Sequence, residues 1–347
     1  MTLRNLFFYL LAISIFLACS SDDDQETNTI DYSNGSFILN QGVFDSGSGT
    51  INFLDQEGNY SEGIFSSSNE NLPLGNVVQS MIIHNGMAFI SINNGQKIVA
   101  CNTNDFKLEY ELENIDLPRF FVEADNDHII FSNWGENGTN GSIQKINTRT
   151  GNITLAKNIG GAPERLLTHG NKLYVTMSRG FGRDNRLLIY DMVTFDFLKE
   201  LNVGDDPNAI AIDDDENIWV VAGGHTDWDN PENSTPALLT KIVRDEVVDT
   251  LHINAGANSI AINKTNNELL YLSWAGLFSV DISNLESHEM KYPGFYYALS
   301  RNKLLDETWL ADAKDFTSNG EVIRLDNSYN KIDSLVTGII PGDFYIR

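Results

Sequence analysis

Apolar positions along this chain fall in short runs bounded by Gly, Pro, Asn and Asp. The stretch Gly204 to Gly224, GDDPNAIAIDDDENIWVVAGG, shows the pattern most clearly. A turn at Asp205–Asn208 opens an apolar run, Ala209–Ile212. An acidic turn, Asp213–Asn217, leads to a second run, Ile218–Val221, which ends at Gly223-Gly224. β-Branched and aromatic residues between such turn clusters predict a hairpin rather than a helix. The same phrase recurs at Gly160 and Asn254, with more divergent copies at Gly75, Ile115 and Pro293 and a half-copy, IIPGDFYIR, at the end. Equivalent positions are Gln79, Arg119, Glu164, Asn208, Asn258, Tyr296 and Asp343, spaced 38 to 50 residues apart. A period of that length with several strands per unit is the signature of a β-propeller.

Strands begin at Ser36 with SFILN and TINFLD, then one around Tyr60, which makes three strands of a blade lacking its first. The terminal GDFYIR is a first strand lacking its followers. Joining the two closes the ring and removes exposed sheet edges. The predicted fold is therefore all-β, a seven-bladed propeller over residues 36–347. The second strand of each copy carries an aromatic at matching phase, namely Phe89, Phe131, Tyr174, Trp219, Tyr271 and Trp309, expected to pack between blades. Upstream, Arg4 and the thirteen-residue apolar run Leu6–Ala18 read as a signal peptide, residues 1–18, too short to span a bilayer. Residues 19–35 are polar and acidic, and read as a flexible tether.

Net charge is −25, with 48 acidic against 23 basic residues, which argues against nucleic acid and against docking on an anionic membrane through a basic patch. Two cysteines, Cys19 and Cys101, form no disulfide framework or metal motif, and Cys101 is expected as a buried strand residue. Asp213, Asp215 and Asn217 have calcium-loop spacing, but Ile218 stands where the loop needs Gly, so the stretch reads as a hairpin turn. His225 lies in the insertion GGHTDWDNPENSTP and reads as a loop residue, with a metal-ligand role as the alternative. No nucleophile elbow, P-loop or zinc motif is present in a fitting context, so nothing specifies catalysis, a metal or a required cofactor.

The loops after each second strand open on the same face as the starts of the first strands. Three residues past the core aromatic, Trp134 and Trp274 occupy this rim, with Asn40 and Asp312 at matching positions. Adjoining loops add Phe44, Arg179, Phe181, Arg183, Trp228, Asp315 and Phe316, and the strand starts add Arg119, Asn208, Asn258, Tyr296, Tyr297 and Asp343. Several Trp, Tyr and Phe among a few polar groups suit a large flat ligand or a protein partner. The candidate aromatic contacts are Trp134, Trp274, Phe181, Trp228, Phe44 and Tyr296. The candidate polar contacts are Asn40, Arg119, Arg179, Asn208, Asn258, Asp315 and Asp343. The alternative is that the two Trp plug the central channel.

Leu17-Ala18-Cys19 followed by Ser20-Ser21-Asp22-Asp23-Asp24 resembles a lipoprotein signal with the acidic export tag of Bacteroidetes surface lipoproteins, with Cys19 as the lipidated residue. Asn40-Gln41-Gly42, Val43-Phe44, Gly47-Ser48-Gly49 and Asp55-Gln56 resemble the opening of YncE-like propeller lipoproteins, whose best-understood members are BtuG-type cobalamin-binding proteins. Gln41 stands where that family has Glu, and Gln56 where it has Pro. The resemblance implies a non-enzymatic, lipid-anchored protein on the outer face of the outer membrane. It would capture a corrinoid such as vitamin B12 and pass it to a BtuB-like TonB-dependent transporter. Two other classes stand beside it: a glycan- or protein-binding propeller of another uptake system, and a metal- or quinone-dependent propeller enzyme using Glu164, Asn208, Asn258 and Asp343. Asp249-Thr250-Leu251 and Asp333-Ser334-Leu335 resemble O-glycosylation sites of Bacteroidetes exported proteins.

Overall fold

The computed structural model describes residues 31–347 except Arg179 and Phe181. The expected signal peptide, the lipidation residue Cys19, the tether up to residue 30 and the two candidate contacts Arg179 and Phe181 lie outside the described residues. The described chain forms seven four-stranded antiparallel sheets arranged in a ring, a seven-bladed β-propeller. In each sheet the four strands run outward from the axis. Blade 1 combines Pro341–Ile346 with Ser36–Asn40, Thr50–Leu54 and Tyr60–Ser61. The inner strands of blades 2 to 7 are Val78–His84, Pro118–Asp125, Ala162–His169, Pro207–Ile212, Asn258–Asn263 and Ala298–Asn302. Each inner strand packs on the next, and Pro341–Ile346 packs on Val78–His84 to complete the circle.

Closure follows the sequence pattern. Ser36 pairs with Ile346, Phe37 with Tyr345 and Ile38 with Phe344, so the two chain ends share one blade. Phe89, Phe131, Tyr174, Trp219, Tyr271 and Trp309 are all buried. The indole N–H of Trp219 donates to Asp213 Oδ2 at 2.8 Å, and that of Trp309 to Glu307 Oε2 at 2.8 Å. A buried indole needs such an acceptor, because its lost bond to water is otherwise uncompensated. Cys101 is buried in the strand Lys97–Asn102, and burial holds its thiol well above the ordinary range.

Two features are absent from the strand pattern. The outer strand of blade 1 has only two residues, Tyr60–Ser61, and a short helix, Ile64–Ser68, follows it. Its Ile64 and Phe65 are buried in the blade 1–2 core. Tyr32, on the tether side of the expected boundary, is also buried there. Its ring meets Phe53 and Phe106 edge-on at 5.0 and 5.3 Å, and its amide donates to the Thr103 carbonyl at 2.9 Å. Packing therefore extends upstream of Ser36 to Tyr32.

Candidate functional site

Inner strands start, and second strands end, at the same end of the ring, as the pairing of Asn40 with Pro341 shows for blade 1. The strand-start residues and the rim loops thus share one mouth. A register shift interrupts the pairing of the inner strand near its start in each of blades 2 to 6. The unpaired residues are Gln79, Arg119 with Phe120, Glu164 with Arg165, Asn208 and Ser259. A bulge frees a residue from the pleat and re-aims its side chain. Buried hydroxyls on second strands hold several of these bulges. Ser91 Oγ donates to the Arg119 carbonyl at 2.8 Å, Ser132 Oγ to the Glu164 carbonyl at 2.6 Å, and Thr176 Oγ1 accepts from the Arg165 amide at 3.0 Å.

Three candidates, Arg119, Glu164 and Trp134, converge in blades 2 to 4, joined by the repeat-phase residue Gln79. Arg119 grips Glu164 through two guanidinium N–H groups, Nε to Oε2 at 2.9 Å and Nη2 to Oε1, and its Nη1 donates to Gln79 Oε1. Trp134 Nε1 donates to the same Glu164 Oε2 at 2.9 Å, and its ring lies 4.2 Å from the Arg119 guanidinium carbon. This forked, charge-assisted brace ties adjacent blades together at the channel mouth. Glu164 is fully engaged by it.

Below the brace, a cavity of about 190 Å³ lies on the axis, lined by inner-strand residues of blades 4 to 7 and 1, among them Arg165, Ser259, Ser300 and Asp343. Arg165 stacks 3.6 Å from the Phe120 ring centre and stands 3.5 Å from Asp343 Oδ1. Burial raises the Asp343 carboxyl above its ordinary range, outweighing the lowering effect of Arg165. Asn208 donates to the Ala257 carbonyl at 3.3 Å, while its buried Oδ1 has no partner among the described residues.

Blades 5, 6, 7 and 1 present a different surface. Trp228 is 81 % exposed, Phe44 67 % and Trp274 51 %, and Phe295, Tyr297 and Phe316 are also exposed. Phe316 meets Tyr297 edge-on at 5.7 Å and lies 6.4 Å from Phe295. Trp274 covers Gly256, where an added Cβ would sit 2.2 Å from the indole nitrogen and φ is +70°, so only glycine fits beneath the ring. All six rings come from rim loops or strand-start connections, so they form an arc on one side of the mouth, opposite the brace.

The other candidates are placed as follows. Tyr296 is buried, its hydroxyl donating to the Pro293 carbonyl at 2.8 Å. The flanking Phe295 and Tyr297 are exposed instead, on the connection between the strands Asn284–Pro293 and Ala298–Asn302, and the repeat phase, which falls on Tyr296, carries no signal for Phe295. Asn40 is buried and bonded to Thr50 and Thr337. Asn258 accepts from Ser259 Oγ at 3.0 Å. Asp315 caps its own turn, accepting from the amides of Thr317 and Ser318, which hold its carboxyl well below the usual range. Arg165 was missed, since the repeat spacing marks only one residue per bulge.

Asp213 resolves the calcium-like spacing. Oδ1 accepts from the amides of Asp215 and Asn217, and Oδ2 from Asn217 Nδ2 and Trp219 Nε1. Four donors leave the carboxylate engaged within its own hairpin. His225 sits at the base of its insertion, bridged through its backbone to Thr235. No group of three or more His, Cys, Asp or Glu side chains placed to hold a metal occurs among the described residues. Thr250 and Ser334 lie on the outer strands Glu246–Ile253 and Lys331–Ile339.

Residues 34–300 match a family model described as a domain of unknown function, DUF5074. No curated protein matches the chain. Among solved structures, the chain is similar to a quinoprotein alcohol dehydrogenase-like protein from Bacteroides thetaiotaomicron, with a TM-score of 0.65 and 12% identity over 91% of this chain and 79% of that one. It is also similar to hydrazine synthase of Kuenenia stuttgartiensis, with a TM-score of 0.56 and 12% identity over 75% and 87% of the two chains. A streptogramin B lyase gives a TM-score of 0.54 and 15% identity over 76% and 83%. At these identities the likeness shows the propeller fold alone.

Proposed function

The chain belongs to the DUF5074 family of unknown function, and we propose that it is a binding protein whose aromatic mouth captures a broad, flat organic ligand, a corrinoid. One observation carries this reading. Six large rings, Phe44, Trp228, Trp274, Phe295, Tyr297 and Phe316, stand exposed on one arc of the mouth. Exposed aromatic surface grouped on one face has a binding use more often than a structural one, because water contact with it is costly. A corrin ring would cover those faces, and its amide arms would meet the polar groups at the axis. In the same proposal Cys19 carries the lipid anchor, and a TonB-dependent outer-membrane transporter receives the ligand. No catalytic step is assigned, in keeping with Glu164 being committed to Arg119 and Trp134.

Calorimetric titration of the full-length protein with cyanocobalamin and with cobinamide tests this. One-to-one binding is expected, with Trp274→Ala costing about 2 kcal/mol, or roughly 30-fold in Kd, as for a buried aromatic anchor. Absence of heat with both corrinoids, alongside binding of oligosaccharides, would replace the reading with a glycan-binding one.

A further inference from the structure

The axial cavity holds two opposite charges in a space of about 190 Å³. That is several times the roughly 30 Å³ share of one water, and smaller than the about 300–1,000 Å³ of pockets that swallow a whole drug-sized ligand. It therefore has room for one short arm of a larger molecule. Its charged groups are only loosely paired. Arg165 reaches Asp343 at 3.5 Å, beyond good hydrogen-bond distance, and its remaining guanidinium N–H groups have no partner among the described residues. Arg119, one bulge away, by contrast uses all three of its guanidinium nitrogens on Glu164 and Gln79. Phe120 pins the Arg165 plane from one side, so the free donors are held rather than floppy. Ser259 and Ser300 line the same space, and Ser259 is an unpaired bulge residue with φ +58°.

The charge pattern selects the ligand. A carboxylate would be drawn to Arg165 but repelled by Asp343, and an ammonium would meet the reverse. A neutral planar group with an acceptor on one side and donors on the other satisfies both without bringing in a net charge. We propose that the axial cavity is a subsite for a primary carboxamide, whose carbonyl oxygen accepts from Arg165 and whose NH₂ donates to Asp343. The inference rests on the mouth receiving a ligand, and not on that ligand being a corrinoid.

Ligand-observed NMR titration of the full-length protein with propionamide, propionate and N,N-dimethylpropionamide tests it without any corrinoid. Propionamide is expected to saturate in the millimolar range. Propionate and the dimethyl amide, which lacks N–H donors, should bind at least ten-fold more weakly. The double variant Arg165→Met/Asp343→Leu removes both charges together, so neither is left buried alone, and should weaken propionamide at least ten-fold. Asp343→Asn changes almost no volume, and should narrow the preference for propionamide over propionate by lifting the repulsion. That narrowing is a signature that a purely structural role for Asp343 would not give. The inference is overturned if propionamide fails to saturate, if propionate or the dimethyl amide binds as tightly, or if the double variant leaves binding unchanged. Because no corrinoid is used, either outcome stands apart from the calorimetric result.

Discussion

At the scale of single residues, the mouth is built from a few committed polar groups and many uncommitted rings. Glu164 shows what commitment means. It is mostly buried and takes three hydrogen bonds, two from Arg119 and one from Trp134. Glu164→Gln keeps the shape but replaces a carboxylate facing a guanidinium with a neutral amide, leaving Arg119 without its counter-charge. Breaking such a pair costs about 3 kcal/mol. The expected result is a lower urea midpoint with an unchanged slope, read by circular dichroism. The sequence marked Arg119 and Glu164 by their repeat phase, but it could not show that they face each other. Nor could it show that Arg165 turns the other way into the channel. That depends on two-residue bulges, which no side-chain pattern encodes.

At the scale of elements, three of the acidic turns share one hydrogen-bond pattern. Asp55, Asp213 and Asp326 each precede an Asn by four residues, Asn59, Asn217 and Asn330, and each accepts the amide and side-chain N–H of that Asn. The carboxylates close hairpins whose backbone donors would otherwise go unmet. Burial raises the Asp213 carboxyl, but hydrogen bonds from Asn217 and Trp219 outweigh it, so its pKa falls below the ordinary 3.8. A folded pKa below the unfolded one contributes stability that is present above pH 3.8 and lost as pH falls through the folded value. Asp213→Asn should therefore lower stability by about 1–2 kcal/mol at neutral pH. The gap from wild type should shrink progressively below pH 3.8 in urea melts followed by circular dichroism. The hairpins themselves were legible, because turn chemistry and period-two alternation agree along most of the chain. The helix Ile64–Ser68 was not. Five residues are too few for a helical period, and Ile64 and Phe65 are buried by tertiary packing rather than by any local pattern.

At the scale of the molecule, the two chain ends are joined, and the ring closed, by one strand pairing, that of Pro341–Ile346 with Ser36–Asn40. Neighbouring blades elsewhere are joined by continuous chain. Removing residues 341–347 takes out the inner strand of blade 1 and exposes Phe37, Ile38 and Leu39, which are now fully buried. The truncated protein is expected to lose its cooperative thermal transition and to aggregate, measured by differential scanning calorimetry and light scattering. A soluble, cooperatively melting truncation would mean that six blades close without the seventh. Repeat arithmetic anticipated this clasp, because a half-copy at one end and a headless blade at the other have one economical solution. It could not anticipate Tyr32, whose neighbours in sequence are polar, and whose burial depends on Phe53 and Phe106 meeting it from two blades.

The register of that clasp also fixes which way the molecule looks. Ser36 pairs with Ile346 at the far end of the inner strand, whereas Asn40 pairs with Pro341 beside the mouth. The chain thus enters the ring from the floor, near Tyr32 and Thr103, and its last residue returns there, with the Arg347 amide donating to the Gly35 carbonyl at 3.1 Å. A molecule moored by the segment before Asp31 would stand like a cup on its base, its aromatic lip turned away from the mooring and toward whatever arrives from outside.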